Sequence, residues 1–550
     1  MIFKKIEIFF RKRLIYIKHS QIMTLYQKLF KKFQERSGYS YKKHQEEGML
    51  WCVEREQHTA SFQNIHGGFI ADEMGCGKTF MMLSLIVCNF VPRTLIVVPL
   101  ALIQQWEQSI QNIVGYAPLV YYGHKMKSQA HRLRSASIII TTYGVLSNQY
   151  ECHGELFRIN LDRVVYDEAH HMRNIKTNKH QAGFMISSRI KWLITGTPIQ
   201  NKLNDLYNLA TIVGVNNAKY IAHEDLMRII LKRTKENVGI NLPSVHLHKI
   251  PVPWVNQEEK ALYEVLDTLK GSGDIFTSKR NELSMDCDSK CSNIRETAEY
   301  ITSPCDDILS VSSCDKAESK DECSKNTLTE NILPQENISM KLLHLVKSVF
   351  GSFKLPYYLR ARQMCVYPKL LSQLELSINN CDLYDKTAVK MALHNTTKID
   401  YVVNAIVKNG SNNNKKIVFC SFRKEMDMIH SELDACGISS EIYDGRISRK
   451  ERQRIIQSMP NVLIIQIQMG CEGLNLQYAN EIYFVGPLWN PATEEQAIGR
   501  CFRIGQRKAT HVYKFVMTNV DEPVIESMDT YMQNKMTLKK NVANELFLDM

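Results

Sequence analysis

Two short clusters in this sequence could together handle a nucleoside triphosphate. The first is FIADEMGCGKTF at 69–80, where Gly75, Gly77, Lys78 and Thr79 stand close to a phosphate-binding pattern. The general pattern is Gly, four residues, then Gly-Lys-Ser/Thr. Here the position five before Gly77 is Asp72 instead of Gly. An apolar run, GGFIAD, precedes the cluster and TFMMLSLIVCNF, with helical character, follows it. Strand, loop and helix in that order present backbone N–H groups to an anion. Lys78 reaches the β- and γ-phosphates, and Thr79 offers a hydroxyl to Mg²⁺. By itself the cluster also reads as an ordinary glycine turn. The second cluster, VVYDEAHH at 164–171, places Asp167 and Glu168 at the end of an apolar run. Two carboxylates can divide the work: Asp167 holds Mg²⁺, and Glu168 orients or deprotonates the attacking water. The plain alternative is an acidic helix cap at a strand end. Both clusters in this order point to ATP hydrolysis.

These residues need a scaffold that repeats strand, loop and helix. Short β-branched runs recur, each followed by a helical stretch: TLIVVP (94–99), SIIITTY (137–143), RVVYDE (163–168) and KWLITGT (191–197). A second series follows after a gap: KKIVFCS (415–421), NVLIIQIQ (461–468), EIYFVGP (481–487) and THVYKFV (510–516). Near-continuous apolar strands alternating with helices signal parallel sheets covered on both faces. The fold class expected is therefore α/β, with two doubly wound domains. The expected boundaries are a basic N-terminal extension at 1–37, a first lobe at 38–245, a helical linker region at 246–395, a second lobe at 396–530 and a tail at 531–550. Within the linker, about 270–335 is rich in Ser, Asp, Glu, Lys and Asn and reads as a flexible insert. Its Cys287, Cys291, Cys305, Cys314 and Cys323 form no Cys-x-x-Cys pair and have no His among them, so free thiols are expected and zinc is not.

Composition is that of a soluble globular chain: 550 residues, 44% hydrophobic and 23% charged. The 69 Lys+Arg exceed the 57 Asp+Glu, for a net charge of +12, which suits an acidic partner such as nucleic acid as well as a solvated surface. The opening run MIFKKIEIFFRKRLIYIKH is broken by Lys, Arg and Glu every few positions. It therefore reads as neither a secretory signal nor a membrane span, and Met23 is an alternative start. The 15 scattered cysteines are read as reduced thiols of an intracellular protein.

ADEMGCGKT, DEAHHMRN, LITGTPIQN (193–201) and GLNLQYANEIYFVGPLWNPATEEQAIGRCFRIGQ (473–506) together resemble the Swi/Snf-type ATPases of helicase superfamily two. Weaker matches between about Tyr41 and Phe515 include YKKHQEEGMLW (41–51), IILKRTKENVGINLPS (229–244) and KIVFCSFRKEMDMI (416–429). In that family Asp is normal at the position of Asp72. The resemblance implies two RecA-like lobes with helical additions, binding ATP and Mg²⁺ between them. Gln45 would lie near the adenine, and Asp72, Glu73, Met74 and Cys76 would complete the nucleotide loop. Arg500 and Arg503 would reach the γ-phosphate from the second lobe as arginine fingers, with Gln496 ordering the cleft. Trp489-Asn490-Pro491 resembles a block near a DNA contact, and Trp489 equally suits core packing. Thr142 and Lys202 are candidate first-lobe DNA contacts.

The subgroup resembled is the short one related to the helicase-like transcription factor, whose reduced form includes the global transactivators of large insect DNA viruses. It implies double-stranded DNA as partner, with chromatin or transcription proteins, in the nucleus, and no membrane. Two departures bear on coupling of ATP to DNA: Cys471-Glu472 where the family has Gly-x, and Gly486 where Asp is frequent. Two other readings remain open. One is a strand-separating helicase, although those typically carry Ser-Ala-Thr where this chain has Thr195-Gly196-Thr197. The other is a non-catalytic regulator on an idle nucleotide fold.

Overall fold

A computed structural model describes residues 19–57, 62–200, 203–255, 257, 259–264, 354–371, 386–410, 413–471, 474–518 and 526–545. The insert expected at 270–335, with its five cysteines, and the segment 1–18 lie outside the described residues. Two sheets organise the rest, and every strand pair in both is parallel. The first has seven strands, in spatial order 119–120, 138–142, 94–98, 161–167, 188–194, 66–70 and 230–231, and the second six, in spatial order 440–443, 462–466, 416–420, 481–484, 510–518 and 245–253.

The first sheet comprises β1 (His66–Ile70), β2 (Thr94–Val98), β3 (Leu119–Val120), β4 (Ile138–Thr142), β5 (Leu161–Asp167), β6 (Ser188–Ile194) and β7 (Ile230–Leu231). β2 and β4 are buried along their whole length. Alternate residues feed opposite faces: Leu95, Val97, Val164 and Tyr166 enter one core, and Ile96, Val98 and Val165 the other. That period of two explains why the strands read as unbroken apolar runs. Helices α1 (His19–Ser37), α2 (Lys43–Gln57) and α3 (Lys78–Cys88) cover one face. α1 buries Tyr26, Phe30 and Phe33, with Phe30 and Phe33 packed on Phe80 of α3. The described part of the expected basic extension thus belongs to the first lobe's core, because its apolar stripe needs a partner face.

The second sheet comprises β8 (Val245–Pro253), β9 (Lys416–Cys420), β10 (Ser440–Tyr443), β11 (Val462–Gln466), β12 (Glu481–Phe484) and β13 (Thr510–Thr518). Val418 and Cys420 face one core, and Ile417 and Phe419 the other. Helices α4 (Thr397–Lys408) and α5 (Arg423–Ala435) line the first of these cores. α6 (Pro491–Cys501) lines the second through Ala497 and Cys501. Where a helical linker was expected from 246, the chain forms β8, paired with β13 over nine residues. The final helix α7 (Met528–Glu545) runs across the expected 530/531 boundary and buries Met528 and Met532 in the same core as α4. No helix among the described residues is long and apolar enough to cross a membrane.

One buried ion pair locks α2 to the first sheet. Arg163 on β5 is 0% and Glu56 on α2 is 1% exposed, with Arg163 Nε donating to Glu56 Oε1 at 2.7 Å. Trp192 Nε1 and Asn89 Nδ2 also donate to that carboxylate, at 2.8 and 2.6 Å. Removing the carboxylate strands a buried guanidinium, so Glu56→Ala should destabilise the first lobe by roughly 3–5 kcal/mol. Urea unfolding of the full-length protein measures this, and a loss below about 1 kcal/mol would show that the pair is solvated.

Candidate nucleotide site at the seam of the two lobes

The chain leaving β1 keeps its backbone pairing past the strand end: Ala71 N–H donates to Leu231 O at 2.7 Å and Glu73 N–H to Arg233 O at 2.8 Å. It then turns through Gly75 and Gly77, both in the left-handed region at φ +93° and +85°. Gly77 is the N-cap of α3, and no side chain caps that end. The first N–H groups of α3 are therefore available to an anion, aided by the helix dipole. Gly77 is required for a second reason: a Cβ there would collide with the Gln45 amide.

The loop's own acids turn away from that anion position. Arg233 grips Asp72 with two bonds, 3.1 and 2.6 Å, and also donates to His44 O at 2.7 Å. Glu73 pairs with Lys235 Nζ at 2.7 Å and accepts from the Lys235 N–H at 2.8 Å. Gln45, expected near the adenine, donates its amide to Cys76 O at 3.2 Å, beside His44 Nε2 at 2.9 Å from the same oxygen. Lys78 extends back along the loop, Nζ 2.7 Å from Asp72 O and 3.3 Å from Glu73 O. Burial pushes its ammonium pKa down, opposed by Glu168 and Asp72. Thr79 is half-buried in the first turn of α3. Burial pushes the Cys76 thiol up to about 11.

β5 delivers Asp167 to the same place. Trp106 Nε1 donates to Asp167 Oδ2 at 2.7 Å, and Tyr143 OH to the Asp167 carbonyl at 2.7 Å. Burial, then the Glu168 charge, raise the Asp167 pKa to about 6, against the Trp106 bond that lowers it. Glu168 sits at φ +52°, a left-handed conformation unusual for a side chain of its length. From there Oε2 lies 3.4 Å from His170 Nδ1, is buried, and takes no hydrogen bond among the described residues. Burial, then Arg173 and Arg500, hold the His170 pKa down near about 3. His170 is thus neutral beside Glu168.

The second lobe completes the site. α6 opens at Asn490, whose side chain caps it by accepting from Ala492 N–H at 3.0 Å, with Pro491 at the first turn. Near its other end Arg500 stands 3.6 Å from Glu168 Oε1 across the seam. Arg503 packs where a Cβ on Gly75 would meet its Cβ at 3.3 Å, and burial lowers its pKa. Gln496 is buried on the same helix, its Nε2 without an acceptor among the described residues. Lys235 lies over the Phe502 ring at 4.6 Å, and Asn490 Nδ2 reaches Gln200 Oε1 at 3.4 Å. Lys78, Asp167, Glu168, Arg500 and Arg503 therefore converge, with Thr79 next to Lys78 in the first turn of α3, whereas Asp72 and Glu73 face basic partners of the first lobe.

Trp489 packs edge-on to Tyr358 and Tyr531 at 5.8 and 6.4 Å. Thr142 caps the helix at 143–151, accepting from Val145 N–H at 3.2 Å. Lys202, Glu472, Gly473 and the Cys471 side chain lie outside the described residues. Trp106, His170, Arg233 and Lys235 were not singled out from the sequence. Arg233 and Lys235 lie in the quoted block 229–244, but nothing local signals that they would meet Asp72 and Glu73.

Residues 44–223 match the SNF2-related domain and residues 397–505 the Helicase conserved C-terminal domain. The chain belongs to the SNF2-related family. Among relatives, it is 24% identical to the DNA repair protein RAD5B of Arabidopsis thaliana, over 87% of this chain and 46% of that protein. It is 26% identical to the probable global transactivator of Orgyia pseudotsugata multicapsid polyhedrosis virus, over 92% of this chain and 91% of that one. The chain spans about half the length of the DNA repair relatives it matches. The Sulfolobus solfataricus SWI2/SNF2 ATPase core in complex with dsDNA aligns over 92% of this chain and 96% of its own at 19% identity, with a TM-score of 0.35, too loose to inform the site.

The buried histidines give the site a pH signature. Burial depresses His170 and His171 from 6.5 to about 3 in the folded state, so the unfolded chain takes up protons first as pH falls. The stability they contribute is whole above about pH 6.5 and drains away below it. Between about pH 7 and pH 5 the parent should therefore lose more stability, read as the urea midpoint, than His170→Asn does. Equal losses in the two proteins would show that His170 titrates freely.

Proposed function

We propose that this protein is an ATP hydrolase that uses double-stranded DNA as its track and displaces proteins bound there, in the service of transcription regulation. The observation that carries the reading is the approach of Arg500 to Glu168 across the seam, beside Lys78 and the uncapped start of α3. The residues fit a nucleoside triphosphate with Mg²⁺: Glu168 Oε2 is a buried acceptor left over, and α3 presents bare N–H groups. Thr79 and Asp167 would hold Mg²⁺, which when bound neutralises phosphate charge.

The chain's own residues do the rest. Lys78 and the first N–H groups of α3 bind the β- and γ-phosphates. Glu168 Oε2 accepts a proton from, or orients, the attacking water, while Oε1 stays directed at Arg500. Neutral His170 keeps a second positive charge away from that carboxylate. Arg500 and Arg503 spread charge from the γ-phosphate oxygens over two planar forks as the lobes close. Trp106 fixes Asp167, and Gln496 lends a buried amide donor to the cleft.

The net charge of +12 supports a polyanionic partner, and contacts to phosphate fix position without reading sequence. Binding should therefore weaken steeply with salt. Kinship with a viral protein named a probable global transactivator supports the transcriptional role, in a host nucleus, with chromatin or transcription proteins as cargo. Kinship with DNA repair proteins supports DNA itself as substrate.

The deciding experiment is ATPase turnover of the purified protein with duplex DNA, single strands and RNA. Duplex DNA should stimulate most; equal rates with and without nucleic acid would overturn the reading. Lys78→Ala should abolish turnover with the fold intact. Glu168→Gln should bind ATP but turn over roughly a hundredfold more slowly. Arg500→Ala should cost on the order of a thousandfold, and an unchanged rate would exclude a finger role.

A further inference from the structure

Gly499 lies in the last turn of α6, immediately before Arg500. Its backbone is right-handed helical, not in the left-handed region where glycine is needed. Alanine suits such a position better, since glycine loses more conformational freedom on folding. The reason for glycine lies across the seam. Among the described residues, the only atoms near a Cβ built there are Met74 Cβ at 3.2 Å and Met74 Sδ at 3.6 Å, outside the helix's own backbone. Met74 belongs to the nucleotide loop of the other lobe. Its far side meets a second glycine: a Cβ on Gly196 would come within 3.0 Å of both Met74 Cγ and Cε. The methionine thus lies between two glycines, one on each lobe, and the atom nearest Gly499 is its Cβ, which is fixed to the backbone.

We infer that Gly499 is a positioning residue, and that its contact with Met74 sets how closely α6, and so Arg500, can approach the nucleotide loop. Any side chain at 499 would push the helix outward by a few tenths of an ångström at the residue next to Arg500. The shift falls beside the residue whose guanidinium stands 3.6 Å from Glu168 Oε1. The consequence for catalysis rests on the proposed ATP site; the steric contact itself does not.

Two measurements test it separately. Gly499→Ala should lower the DNA-stimulated kcat roughly tenfold, with the ATP KM nearly unchanged, since the displaced group acts after ATP is bound. Its thermal midpoint should be equal to or higher than that of the parent, because alanine favours the helix. The same substitution in a Met74→Gly background should cost less than about twofold, since the opposing atoms are gone. Equal losses in both backgrounds, or a lowered midpoint tracking the lost activity, would overturn the inference. Independently of activity, Met74→Cys with Gly499→Cys should cross-link the lobes on oxidation. The two Cβ positions, 3.2 Å apart, need to part by only a few tenths of an ångström to reach the roughly 3.5–4.5 Å of a disulfide. Peptide mapping identifies that bond against the native cysteines, with each single variant as control. Cross-linking in a protein whose parent lacks ATPase activity would uphold the contact and sink the functional reading. An active parent without the cross-link would do the reverse.

Discussion

Glu168 and Arg500 belong to different lobes, yet their charges stand 3.6 Å apart in one half-buried seam. Buried charges are tolerated only with partners, and this pair has to be assembled from two separately folded bodies. The first lobe clears the ground for it. Asp72 and Glu73, which would repel a phosphate, are cancelled by Arg233 and Lys235 at the edge of their own sheet. His170 is kept neutral by burial. Lys78 is then the loop's cation at the place where α3 begins, and Glu168, aimed by its left-handed backbone, is the carboxylate facing the other lobe.

The lobes and the seam differ in how firmly they are held. Each sheet has a buried apolar cluster on both faces, supplied by alternate residues of the same strands. Among the described residues the contacts between the lobes are largely polar: the Arg500–Glu168 pair, the bonds from Asn490 to Gln200 at 3.4 Å and from Gln453 to Gln104 at 2.9 Å, and the ammonium of Lys235 over Phe502, with Arg503 against Gly75 and Met74 between its glycines. Packed cores resist deformation, whereas a polar interface can part and re-form. A cycle of opening and closing therefore demands little of either fold.

The central strands and both chemical clusters were legible in the sequence because their signals are local. TLIVV and KIVFC are long enough, apolar enough and β-branched enough to declare buried parallel strands, and the glycines at 75 and 77 mark a turn before a helix. β8 was not legible: in VHLHKIPVP the alternation slips at Lys249, while Pro251 and Pro253 argue against a strand, and its pairing with β13, over 250 residues away in the chain, is what makes it one. Asp72 was read as a phosphate-loop residue, but its partner Arg233 lies 161 positions later. Such ion pairs have no local signature. α1 escaped for a related reason, since its apolar stripe is interpretable only once Phe80 is placed beneath it.

Gly486 shows how a departure in one motif is absorbed elsewhere. The space a side chain would take there is bordered by Lys398 Nζ at 3.3 Å and Asp529 Oδ1 at 3.9 Å. Lys398 and Asp529 form a fully buried ion pair, and Asp529 Oδ2 also accepts the Met517 N–H at 3.0 Å. α7 is thereby anchored through its first turn to α4 and β13. Farther along, Lys539 donates to Trp489 O at 2.9 Å and Lys540 pairs with Glu495 of α6 at 2.9 Å. The helix carrying Arg500 is thus held from outside by the last helix of the described chain, which is itself fixed in the second core. With Ala497 and Cys501 of α6 also buried in the second lobe, a motion of that lobe as one body is the one that brings Arg500 to a phosphate without breaking these contacts.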